Sequence, residues 1–145
     1  MDRKIEAITL FENGFNCSQA VLGAFTQDLS IDKKTALKIG TGFGGGARNG
    51  ELCGAVTGGL MVLGLKDGHF TKDDQAGKLR SYELAKEFTE RFGQAQGDIV
   101  CKNLLGYDLS NPEEYKILED KGSFKTECPK YIETAVEILE EMIQW

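Results

Sequence analysis

Four cysteines, Cys17, Cys53, Cys101 and Cys128, have the most chemistry to offer in this chain of 145 residues. No C-x-x-C pair occurs among them, which excludes zinc ribbons, thioredoxin-like dithiols and C-x-x-C-H haem attachment. Their local contexts nevertheless agree. Cys17 precedes "SQAVL", Cys53 follows a glycine-rich loop, Cys101 follows Asp98 and Cys128 precedes Pro129. All four are therefore expected at or within the first turn of a helix. Helix N-termini offer unpaired N–H donors and the positive end of the macrodipole, and both favour thiolate over thiol. Four thiolates on four such termini would suit a cationic metal or an iron–sulfur cluster, with backbone N–H groups tuning the sulfurs. A single free cysteine is most often a small buried hydrophobe. The shared placement of four is what points to chemistry.

Cys53 sits inside "GFGGGARNGELCGAVTGGLMVLG", residues 42–64. The "GTGFGG" at 40–45 matches part of a dinucleotide-binding pattern, but it follows a helix-like segment rather than a strand. A Walker loop needs Gly-Lys-Ser/Thr, which is absent, and the apolar run is too short to span a bilayer. Packing is the better explanation. On a helix, Gly54, Ala55, Gly58 and Gly59 fall on one side, opposite Val56, Leu60 and Leu63. A partner helix or an inorganic group can lie against such a bare face, which makes Gly54 and Gly58 cofactor-contact candidates. The same face would also serve a homodimer interface. Arg48, in the loop ahead of Cys53, is expected either to face a thiolate set, cluster or anionic substrate, or to pair in solvent with Glu51. His69 is the sole histidine and reads as a loop residue; Tyr107 reads as a half-buried packing residue.

The elements that must position these residues are helical nearly throughout. Ile5, Ile8 and Phe11 recur at helical spacing before Gly14. Further helices are expected after Cys17, after Asp32 through Ala36, Leu37 and Ile39, and from about Leu52 to Leu65. The longest is expected over 72–92, opened by a Thr71–Asp74 capping box, carrying Ala85, Phe88 and Phe92, and ended by Gly93. A short helix should run from about 99 to 105, another should start at Pro112, and the last should open at Cys128. No segment alternates with a period of two. The expectation is an all-α fold, one domain over residues 1–145, built as a compact bundle of about five to eight helices.

The formal net charge of −6 provides no basic stripe for nucleic acid or anionic lipid. The N-terminal "MDRKIEAITLFENG" lacks a signal core, so a cytoplasmic protein without a membrane span is expected. In that compartment, cysteines serve metals or redox chemistry more often than structural disulfides.

The motif "CGAVTG" at 53–58, its glycine-rich lead-in, "NCSQAV" at 16–21, "CKNLLG" at 101–106 and the late Cys128 resemble the C-GCAxxG-C-C family of redox-active proteins. The likeness extends over nearly the whole chain. It implies a helical fold, a redox role, and an iron–sulfur cluster on Cys17, Cys53, Cys101 and Cys128. A [2Fe–2S] cluster would need no further ligand, and the chain would pass electrons to a partner protein. Two alternatives remain open from the residues. One is a thiol–disulfide enzyme with Cys53 as the attacking thiolate. The other is a structural zinc site in an interaction module.

Overall fold

A computed structural model describes residues 2–145. Among them are nine α-helices and no strand: α1 (Arg3–Glu12), α2 (Cys17–Gly23), α3 (Lys33–Gly40), α4 (Gly54–Asp67), α5 (Gln75–Gln96), α6 (Cys101–Leu105), α7 (Pro112–Lys121), α8 (Ser123–Thr126) and α9 (Cys128–Met142). The all-α expectation is met. The one added helix is the one-turn α8, which carries no cap signal in the sequence.

Helix α4 is the centre of the bundle, with α2, α5 and α9 packed around it. Its buried residues, Gly54, Ala55, Val56, Gly58, Gly59, Val62 and Leu63, fall on more than one side, as expected of a helix surrounded by others. The bare face is used up inside the chain. A Cβ at Gly58 would lie 2.7 Å from the Ser18 carbonyl oxygen and 3.1 Å from Val21 Cβ, so this glycine lets α2 and α4 touch backbone to backbone. A Cβ at Gly59 would overlap the Phe88 ring of α5. The stripe that could have served a homodimer is therefore an internal contact. Phe25, Phe88, Phe92, Leu22, Ile132 and Leu139 fill the core around it.

Caps explain most boundaries. Asp2, Asp32 and Asn111 accept from the first-turn N–H groups of α1, α3 and α7. The expected bounds of two helices are corrected. Helix α5 begins at Gln75 because Asp74 itself is the N-cap, accepting from Gly77 N–H at 2.9 Å. It continues through Gly93, held by buried Phe92 and by the Gln96–Thr134 side-chain hydrogen bond of 2.7 Å, and ends only at Gly97, whose φ is 88°. Helix α4 starts two residues late because Leu52 forms an isolated antiparallel bridge with Val100. No helix in the described residues is long and apolar enough to cross a membrane.

Candidate functional site

Each cysteine occupies the helix start expected of it. Cys17, Cys101 and Cys128 are the first residues of α2, α6 and α9, and Cys53 is the N-cap of α4. The local reasons differ. At α2, Asn16 and Gln19 close a capping box: Asn16 Oδ1 accepts from Gln19 N–H and Gln19 Oε1 accepts from Asn16 N–H, both at 2.9 Å. Gln19 also donates to the Leu37 carbonyl at 2.8 Å, which fastens this terminus to α3. Asn-x-x-Gln is a legible cap signal that the sequence reading did not use.

Cys53 and Cys101 are clamped side by side. Cys53 N–H donates to the Ile99 carbonyl at 2.8 Å, and Cys101 N–H donates to the Glu51 carbonyl at 2.6 Å. Asp98 shapes the segment before Cys101 by accepting from the N–H groups of Ile99 and Val100. Pro129, the second residue of α9, has no N–H to leave unpaired in that first turn.

These four helix starts converge on one cavity of about 280 Å³. Cys17, Cys53, Cys101 and Cys128 all line it, and all four are free thiols. Cys17, Cys53 and Cys101 are 9%, 4% and 6% exposed, so the thiols form a floor. Gly54 makes room there, since a Cβ at that position would overlap the Cys17 sulfur. Gly58 lies one turn farther along, against α2, and supports the helix crossing rather than the cavity wall. Among the described residues, no group of three or more His, Cys, Asp or Glu side chains is disposed to hold a metal ion.

Burial decides the protonation state. It raises the Cys17 thiol, although the N–H groups of Gly45, Cys17 and Ser18 pull the other way and the Arg48 guanidinium helps them. Burial drives Cys53 well above the ordinary thiol value, Cys17 repels it further, and Ala55 and Val56 N–H groups only partly oppose this. Cys101 is pushed up to about 12 by burial and then by Cys17, with Arg48 opposing. Burial, Cys17 and Cys101 raise Cys128 as well. The helix-terminus donors are present as expected, but desolvation outweighs them. Without a cation the site holds neutral thiols.

Arg48 does not pair with Glu51, which instead meets Lys102 at 3.3 Å. Its side chain lines the cavity and donates to the Gly44 carbonyl at 3.2 Å. His69 lies edge-on to Tyr82, away from the thiols, and Tyr107 is half-buried beneath Lys121. The sequence reading missed the cavity's aromatic wall, formed by Phe11, Phe15, Tyr115, Phe124 and Tyr131. These rings come from separate segments, and only the fold brings them together.

A family model described as "Putative redox-active protein (C_GCAxxG_C_C)" matches residues 15–142. No curated protein and no solved structure matches the chain.

Proposed function

The chain belongs to the C_GCAxxG_C_C family, and on that premise we propose that Cys17, Cys53, Cys101 and Cys128 hold an iron–sulfur cluster for electron transfer. The observation that carries this reading is the convergence of four thiols, three of them buried and each at a helix start, on one cavity. The donor set is the one such a cluster takes, and [2Fe–2S] needs no other ligand. When bound, the cluster would supply one-electron transfer.

The chain's own residues supply the environment. N–H groups of Gly45 and Ser18 point at the Cys17 sulfur, and those of Ala55 and Val56 at the Cys53 sulfur, where each hydrogen bond favours extra negative charge. Gly54 lets the Cys17 sulfur lie close to α4, and aromatic rings line the cavity beside the thiols.

One observation weighs against the thiol–disulfide alternative. A thiol–disulfide enzyme needs an accessible thiolate, and Cys53 is buried and held as a thiol. A zinc ion would draw on the same four sulfurs, each about 2.3 Å from the metal, and is told from a cluster by metal analysis and by its lack of colour. In the test, the chain is reconstituted anaerobically with iron and sulfide. Sulfur-to-iron charge-transfer absorption is expected, and Cys53→Ser should abolish most of it. A colourless, iron-free protein would contradict the reading.

A further inference from the structure

Arg48 is the only charged side chain among the residues that line the cavity, and its placement is built rather than incidental. Gly45, Gly46, Ala47 and Arg48 run through four consecutive positive φ values, 65°, 64°, 57° and 62°, a left-handed turn. Ala47 and Arg48 carry Cβ atoms there, at a cost of roughly 1–2 kcal/mol each. Strain of this kind gathers at functional sites. Two further features seat the guanidinium. Its Nη1 donates to the Gly44 carbonyl, and it lies over Gly45, where a Cβ would come within 3.0 Å of Nη1 and 3.1 Å of Cζ.

The guanidinium has no carboxylate partner among the described residues, in a chain with 23 acidic side chains. No acid lines the cavity. Apolar side chains make up much of the same lining: Phe11, Phe15, Leu109, and Tyr115 and Phe124, whose ring centroids lie 5.1 Å apart. Tyr115 is 38% exposed, which places this pair at the mouth, above the buried thiols. An unpaired cation beside an aromatic wall fits a ligand with an anionic head and an apolar body. The volume is near the lower end of the range of about 300–1,000 Å³ for ligand pockets, so the ligand is small.

We infer that the mouth of the cavity is a binding site for a small organic carboxylate with an apolar or aromatic body, anchored by Arg48. Bidentate pairing of the carboxylate with the guanidinium fixes its head, and the body lies on the Phe15, Tyr115 and Phe124 rings. The mouth and the thiol floor share one cavity, so the test keeps the thiols unloaded. The metal-free, reduced chain is therefore titrated with phenylacetate and with its neutral isostere phenylacetamide, by calorimetry and by amide chemical shifts. Saturable phenylacetate binding is expected, at least tenfold tighter than phenylacetamide. Shifts should centre on residues 44–48 and on Tyr115 and Phe124. Arg48→Gln should remove the preference, and Arg48→Lys should retain part of it, with the helical circular dichroism of both variants unchanged. Equal affinity for the two probes, no binding of either, or a carboxylate preference that survives in Arg48→Gln would overturn the assignment. Iron loading of the same variants, scored separately, reports on the cluster alone.

Discussion

At the scale of single residues, the site is governed by a contest between helix-start donors and burial, and burial wins at every cysteine. Cys101 shows the consequence most directly. Its thiol is pushed up to about 12 in the folded chain, against roughly 8.5 when unfolded. An acid raised in this way binds its proton more tightly in the folded state. Its contribution to stability is therefore complete below the unfolded value and is lost as pH climbs toward 12. Urea midpoints of the metal-free, reduced chain should hold steady up to about pH 8 and fall from pH 9 upward, and Cys101→Ser should flatten part of that decline. A midpoint indifferent to pH between 8 and 11 would mean that the thiols are not buried as described.

At the scale of elements, glycine placement separates close approach from mere permissiveness. Gly58 and Gly64 share helix α4, yet a Cβ meets α2 backbone and Val21 at the first and nothing within 4 Å at the second. Gly58→Ala should destabilise by about 1–3 kcal/mol through forced separation of α2 and α4. Gly64→Ala should stabilise by about 0.4–1 kcal/mol, since the helix loses nothing and the unfolded chain loses freedom. Urea unfolding of the pair checks both signs, and equal effects would refute the close-contact account.

The same helices show what a sequence can carry. Asp32, Pro112 and the four cysteine positions were legible because caps are written in neighbouring residues. The bare face of α4 was legible as a face, but its partners were not, because Ser18 and Phe88 lie far away in sequence. The Leu52–Val100 bridge and the turn at Gly45–Arg48 left no local pattern, and alanine and arginine at positive φ run against intrinsic preference. Gly93 misled because a helix-interior glycine is tolerated when Phe88 and Phe92 are buried beside it.

At the scale of the whole molecule, the cysteines come from α2, α4, α6 and α9, so whatever joins them ties distant parts of the chain into one unit. Helix α6 and the segment leading into α9 depend on this most, since Cys101, Leu109 and Leu118 form only a small second core. Binding that favours the folded state adds stability by mass action. Anaerobic loading should therefore raise the melting temperature and slow amide exchange most strongly over residues 99–128. Unchanged exchange there, in a loaded sample, would place the bound group elsewhere.

The most direct test of the central claim is iron K-edge X-ray absorption on the anaerobically loaded chain and on the four single Cys→Ser variants. An all-sulfur first shell with a second shell of iron is expected in the parent chain, with an oxygen ligand or lost iron in every variant. A nitrogen- or oxygen-rich first shell in the parent, no iron neighbour, or a spectrum unaltered by all four substitutions would contradict it.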